Sequence, residues 1–101
     1  AVVAFCKLLI EKKEYVLGKQ LLKSGTSIGA NIEEAQHAES RKDFISKLSI
    51  SLKEAYESRY WLSIIRDSGS STAEMTDPLL GQVNEIIPLL IRSIKTAKSK
   101  L

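Results

Sequence analysis

The stretch RKDFISKLSISLKEAYESRYWLSIIRDS, residues 41–68, decides the fold class. It contains no glycine or proline, and its apolar residues recur at the three- and four-residue spacing of an amphipathic α-helix. Winding it at about 100° per residue gathers one face of apolar and small side chains. That face consists of Phe44, Leu48, Ser51, Leu52, Ala55, Ser58 and Leu62. The stretch is therefore predicted to be a long helix that turns this face towards a core.

The same apolar spacing continues on both sides of this helix. It predicts further helices at residues 2–12, 16–38 and 72–100. Short loops between long helices favour antiparallel neighbours, and four amphipathic helices can bury their apolar stripes in one bundle. The prediction is an all-α fold, an antiparallel up-down four-helix bundle.

Local signals support the predicted helix ends. Ser40 can cap the third helix and Asp43 then lies in its first turn, while Ser71 and Glu74 have the spacing of a capping box for the fourth. The run SGSS at residues 68–71 predicts a turn. Both ends of the third helix and the start of the fourth therefore have a chemical signal as well as a change in periodicity.

Two prolines, Pro78 and Pro88, fall inside the fourth predicted helix. An interior proline removes a backbone donor and clashes with the preceding turn, so Pro88 should bend the helix. Winding places Pro88 opposite an apolar stripe, which allows the bend to wrap that stripe around the core. The stripe consists of Leu79, Val83, Ile86, Leu90, Ile94 and Ala97. We therefore predict one continuous, bent helix.

Composition indicates one domain over residues 1–101. The chain has 101 residues, of which 44% are hydrophobic and 27% charged, as in ordinary globular domains. Small domains bury a low fraction of their surface, so association would add stability. The chain opens on Ala1 with a helix signal at once, from which we expect a missing N-terminal stretch and treat the first helix as open to truncation.

The apolar segments predict a protein outside the membrane. None approaches the roughly 20 residues needed to cross a bilayer. The opening run is interrupted by Lys7 and lacks a small-residue cleavage pattern, so it is interpreted as an amphipathic helix and not as a signal peptide. The expected location is the cytoplasm.

A second group of large side chains lies on the outer side of the third helix. A helix buried only within its own subunit has no use for a second apolar patch, and Trp and Tyr are enriched at interface hot spots. We therefore predict a subunit interface here, although scattered apolar residues are also common on surfaces. The candidate interface residues are Ile50, Tyr60, Trp61 and Ile64.

Several polar and small residues lie near the predicted core. Asn31 and Arg59 project towards it and are predicted to be partly buried, where Glu34 and Glu54 could serve as partners. We interpret Asn31, Glu34, Glu54 and Arg59 as a structural polar cluster and not as a catalytic one. Gly25 and Gly29, in one helix, predict a close packing contact, since glycine costs a helix about 1 kcal/mol relative to alanine.

The sequence contains no recognisable catalytic or metal constellation. Glu34 and His37 have the Glu-x-x-His spacing of half a di-metal site, but the other half is absent and His37 is the only histidine. Cys6 lies in an apolar run, and Gly18-Lys19 lacks the remainder of a phosphate loop. We predict no enzyme activity, no metal and no cofactor.

Basic residues are concentrated at the end of the chain, where no acid follows Glu85. Cations in the last turns of a helix complement its negative end, which is one explanation. Contact with a nucleic-acid backbone is the other, and the net charge of +3 is mild support for it. The candidate residues are Arg92, Lys95, Lys98 and Lys100 in the fourth helix, with Arg41 and Lys42 in the third.

Between residues 26 and 68 the sequence contains five motifs: SIGANI (27–32), EA (34–35), KDF (42–44), KEA (53–55) and YWL (60–62). With these motifs, the run resembles the four helix bundle protein family, also called 23S rRNA intervening sequence proteins. The fourth helix is similar through NEI at residues 84–86 and through its basic end, so that the resemblance covers nearly the whole chain. The two prolines depart from the pattern.

The resemblance implies an antiparallel bundle that assembles as a homopentamer, with no established biochemical role. A similar fold occurs in the accessory variability protein of diversity-generating retroelements, which makes binding of RNA or DNA a hypothesis by analogy of fold. Five acids, Glu33, Glu34, Glu39, Glu54 and Glu57, stand against it, and no aromatic residue interleaves with the basic stretch. The alternative is a scaffold that binds a protein partner and no nucleic acid.

Overall fold

The computed structural model describes residues 2–11, 15–67 and 73–101, with side chains described for residues 2–7, 16–67 and 76–101. These residues form α1 (Val2–Glu11), α2 (Tyr15–Gln36), α3 (Arg41–Asp67) and α4 (Ala73–Ser99). Within the described ranges there is no strand. The prediction of an all-α four-helix bundle is confirmed, and each helix boundary lies within two residues of its predicted position.

The helices pack in chain order, with α1 against α2, α2 against α3, and α3 against α4. The molecule is elongated along the helices, 47 × 20 × 16 Å. The core runs between them along the predicted stripes. Its buried members on α3 and α4 are Leu48, Ala55, Leu62, Ile65, Leu79, Leu80, Val83, Ile87, Leu90 and Ile94.

Small side chains join α2 to α3. Ser51 Oγ donates to the Ile28 carbonyl at 2.9 Å, and Ser58 Oγ donates to Ser24 Oγ at 3.0 Å. Because residue numbers rise along one helix as they fall along the other, these two bonds show that the helices are antiparallel. All three serines are buried, and each net hydrogen bond contributes about 1 kcal/mol to stability.

The start of α3 is capped as predicted. The Asp43 N–H donates to Ser40 Oγ at 3.0 Å, and the Asp43 carboxylate accepts from the Glu39 N–H at 3.3 Å. The predicted turn at residues 68–71 and the capping box of Ser71 and Glu74 fall on residues or side chains outside the described ones. The cap at Ser40 fixes where α3 begins, and with it the position of Arg41.

α4 continues through both Pro78 and Pro88, as predicted. Both prolines are exposed, and the predicted stripe is buried except for Ile86, which is half-buried. The proline rings therefore face solvent and leave the core contacts of α4 intact. The bend at Pro88 stays a prediction.

The two glycines of α2 differ in their surroundings. A Cβ at Gly25 would lie 2.7 Å from Val2 Cγ1, so a side chain there would require Val2 to shift. A Cβ at Gly29 would meet no described atom within 4 Å. The predicted close contact is confirmed at Gly25, and among the described residues none contacts the corresponding position at Gly29.

Candidate nucleic-acid interface

The antiparallel arrangement of α3 and α4 brings the first turn of α3 beside the last turns of α4. Between them lies an open surface cavity of about 360 Å³, which we call the basic recess. Three of the six predicted basic residues line it: one lies in α3, one in α4 and one directly after the last residue of α4. Its main lining residues are Arg41, Phe44, Arg92, Ser93, Thr96 and Lys100.

The electrostatics of the basic recess favour an anion. All three cations are exposed, and no carboxylate among the described residues forms an ion pair with Arg41, Arg92 or Lys100. The negative end of the α4 dipole offsets part of the charge of Lys100, whereas the positive end of α3 adds to that of Arg41. The recess therefore presents more positive than negative charge.

The other predicted basic residues lie elsewhere. Lys95 and Lys98 border a separate cavity of about 290 Å³ whose remaining lining residues are Leu52, Ile91 and Ile94. Lys42 is exposed and lines neither cavity. The six residues therefore do not form one surface, because those at the end of the chain alternate between two sides of α4.

Phe44 is a residue of the recess that sequence analysis missed. It is half-buried and contacts the core, as its place on the apolar face of α3 predicted. It also lies one turn after Arg41, and so the same side chain lines the recess. That spacing was visible in the sequence, but only the position of α4 shows which basic residues lie around the ring.

A second cavity, the apolar groove, adjoins the basic recess. It has a volume of about 310 Å³ and lies between α2, α3 and α4. Phe44 and Ser93 line both cavities, and Leu89 is 55% exposed at the groove. Its apolar lining residues include Ile32, Phe44, Leu48, Ile86, Leu89 and Leu90.

The predicted interface residues lie towards the other end of α3. Tyr60 is 59% exposed, and its ring meets that of Trp61 edge to face at a centroid distance of 5.2 Å. Trp61 is half-buried against the core and donates from Nε1 to Glu57 Oε1 at 3.2 Å. Ile64 is half-buried one turn further on, and we call these three residues the aromatic patch. Ile50 is 38% exposed but lies about three turns before them.

The predicted polar cluster separates into local contacts. Asn31 is half-buried and donates from Nδ2 to the Ser27 carbonyl at 2.9 Å. The Glu34 carboxylate lies 3.5 Å from Lys47 Nζ, and Glu54 is half-buried. Among the described contacts of these four predicted residues, none joins one of them to another.

The prediction that Arg59 is partly buried was wrong, because its side chain is exposed. Its guanidinium lies 5.0 Å from the centre of the Tyr56 ring, and Nη1 donates to Asn84 Oδ1 at 3.5 Å. The long side chain leaves the core side of α3 and runs along the outer surface towards α4. Winding alone gives the direction of Cβ, and a flexible arginine can carry its charge well away from that direction.

Of the two residues considered for metal binding and for nucleophilic catalysis, His37 contacts the last turn of α2 and Cys6 is buried. His37 is exposed, and its Nδ1 lies 3.0 Å from the Glu33 carbonyl. Among the described residues no group of three His, Cys, Asp or Glu side chains could hold a metal ion. Burial raises the pKa of the Cys6 thiol to about 11, so the thiol is protonated at neutral pH.

None of the described helices combines the length and the apolar character needed to span a bilayer.

Comparisons with known proteins agree with this architecture. The model of the family described as 23S rRNA-intervening sequence protein matches residues 1–92. A crystal structure from Bacteroides thetaiotaomicron, described as a protein of unknown function from the S23 ribosomal protein family, is 49% identical. The match covers 93% of this chain and 88% of that one, with a TM-score of 0.88. No curated protein matches the sequence. With family motifs, fold and sequence in agreement, this chain belongs to the 23S rRNA-intervening sequence protein family.

Proposed function

We propose that this chain is a non-catalytic, cytoplasmic homo-oligomer that binds nucleic acid through the basic recess. One observation carries the proposal: Arg41 lines one cavity with the sequence-distant Arg92 and Lys100, and none of the three forms an ion pair with a described carboxylate. Cations that need no acid of their own chain are suited to phosphate, and arginine offers a planar pair of donors for its oxygens.

Assembly would strengthen this weak site. A net charge of +3 per chain becomes about +15 in a homopentamer, the assembly that the family resemblance implies. Several recesses on one particle can hold one strand at once, which raises the overall affinity without any new contact. The aromatic patch is the proposed seam between subunits, because Tyr60 is largely exposed beside a tryptophan.

The recess and the seam are compatible in one molecule. Arg41 and Tyr60 are 19 positions apart on α3, and so roughly 30 Å apart along its axis. Two of the five acids that oppose binding are engaged elsewhere: Glu34 pairs with Lys47, and Glu57 accepts the indole N–H of Trp61. A strand could therefore reach the recess while the aromatic patch is covered.

Fluorescence anisotropy tests the proposal directly. Labelled RNA and DNA of mixed sequence should bind at low salt, and the affinity should fall steeply as salt rises. Arg92→Gln should weaken binding several-fold, whereas Lys53→Gln, which removes one exposed charge from α3 outside the recess, should have a smaller effect. Equal losses in the two variants would indicate non-specific attraction and contradict a site at the recess.

The apolar groove favours a second function, a scaffold that binds a protein partner. A groove between helices lined by Ile32, Ile86 and Leu89 suits the apolar face of an amphipathic helix. Such an interface should tolerate salt better than phosphate contacts do. A chain that binds no nucleic acid at low salt, and that holds a helical peptide equally well at high salt, would favour the scaffold.

A further inference from the structure

The contact between the basic recess and the apolar groove suggests which form of nucleic acid fits this site. The two cavities share Phe44 from α3 and Ser93 from α4. On one side of Phe44 lie the cations, and on the other lie Leu89 and Leu90. A cationic surface and an apolar one therefore adjoin within the width of a few side chains.

An unpaired nucleotide has the same two parts. It carries a phosphate and, next to it, a flat base with exposed faces, which bind to aromatic side chains in many single-strand binding proteins. In a duplex the bases are stacked on one another, so that only the phosphates are available to such a surface. A purely electrostatic patch would favour the duplex, because its linear charge density is higher, and would not prefer the single strand.

We propose that the shared site binds unpaired nucleotides, with a phosphate at Arg41, Arg92 and Lys100 and the adjoining base against Phe44 and Leu89. The inference rests on the proposed function and adds the class of nucleic acid to it. Ser93 and Thr96 supply hydroxyl groups within the recess for phosphate or sugar oxygens. The contacts read no base edge, so the site accepts any base and either RNA or DNA.

A purely structural role for Phe44 is the competing explanation. The ring contacts the core cluster, and many half-buried phenylalanines do no more than this. The two explanations differ in one measurable respect: a packing role predicts that loss of the ring changes stability alone, whereas base contact predicts a selective change in single-strand affinity.

The test compares one oligonucleotide, single-stranded and annealed to its complement, at one low salt concentration. The wild type should bind the single strand about tenfold more tightly than the duplex, the discrimination expected from roughly one stacked base. Phe44→Leu should reduce single-strand affinity by about the same factor and leave duplex affinity within about twofold. Phe44→Tyr, which keeps the ring, should retain the preference.

Leu89→Ser is a second variant for the case in which Phe44→Leu fails to fold, because Leu89 is 55% exposed and its replacement spares the core. It should lower single-strand affinity several-fold and leave duplex affinity unchanged. Equal affinity of the wild type for the two forms, or a preference that survives Phe44→Leu and Leu89→Ser, would overturn the inference and leave backbone binding intact. No binding of either form at low salt would instead refute the proposed function itself.

Discussion

At its first turn α3 meets the last turns of α4 in a group of exposed cations, whereas its last turns carry exposed aromatic rings. Arg41 lies in a recess with Arg92 and Lys100, open to solvent. Tyr60 and Trp61 pack edge to face, with Glu57 holding the indole N–H. The first turn of α3 thus lies in a surface suited to phosphate, and its last turns lie in a surface suited to protein. Two surfaces of different chemistry therefore occupy separate ends of one small bundle.

The largest expected effect comes from placing a charge in the aromatic patch. Tyr60→Glu or Trp61→Glu should shift the native mass, measured by light scattering, from oligomer to monomer, because a carboxylate would lose its hydration in an apolar seam. Tyr60 is the cleaner position, since it is 59% exposed and its replacement spares the core. Leu101→Glu, at the opposite end of the bundle and 67% exposed, should leave the mass unchanged. An unchanged mass in both patch variants would refute the seam.

The next prediction separates the affinity gained from several recesses on one particle from the affinity of a single recess. A monomeric Tyr60→Glu protein keeps the basic recess but loses its multiplicity, so its affinity for a long oligonucleotide should fall by about tenfold or more. Its affinity for a short oligonucleotide that spans one recess should change little. Anisotropy with the two lengths checks this, and equal losses at both lengths would mean that the substitution damages the recess.

A smaller effect is expected between the two ends, where α2 and α3 meet. Ser58→Ala removes the hydroxyl that donates to Ser24 and should lower the free energy of unfolding by about 1 kcal/mol. Ser58→Val adds volume beside buried Ala55 and should cost more, about 1–3 kcal/mol. Urea unfolding followed by circular dichroism measures both values. A more stable valine variant would show that this contact is not tightly packed.

The smallest effect concerns the buried thiol, which belongs to neither surface. The folded pKa of Cys6, about 11, lies above the ordinary value of 9.0, so the folded state holds the proton more strongly than the unfolded state. Its contribution to stability is present below pH 9 and is lost as the pH rises towards 11. Unfolding free energies should therefore fall more steeply over this range in the wild type than in Cys6→Ala. Parallel slopes would contradict burial of the thiol.

The fold was largely predictable because it depends on periodicity and local caps. The apolar faces of α3 and α4 follow directly from their spacing, and the Ser40 cap depends on residues three positions apart. Gly25 shows the limit of such signals. A glycine in a helix suggests a close neighbour, but only the position of α1 reveals that the neighbour of Gly25 is Val2.

The candidate site was less predictable because it joins two helices. The sequence identified Arg41 and Arg92 as candidates, yet the antiparallel packing of α3 and α4 was needed to place them in one recess and to assign Lys95 and Lys98 to another cavity. Phe44 was identified only as a core residue. That Phe44 also lines the recess depends on where the end of α4 lies.

Light scattering tests most directly the claim that the basic recess binds nucleic acid. It compares the wild type with a triple variant, each with a mixed-sequence oligonucleotide at low and at high salt. The triple variant carries Arg41→Gln, Arg92→Gln and Lys100→Gln. Both proteins should have the mass of the same oligomer when free, and only the wild type should gain the mass of bound nucleic acid, at low salt alone. A variant that takes up the oligonucleotide as the wild type does would contradict the assignment of the basic recess.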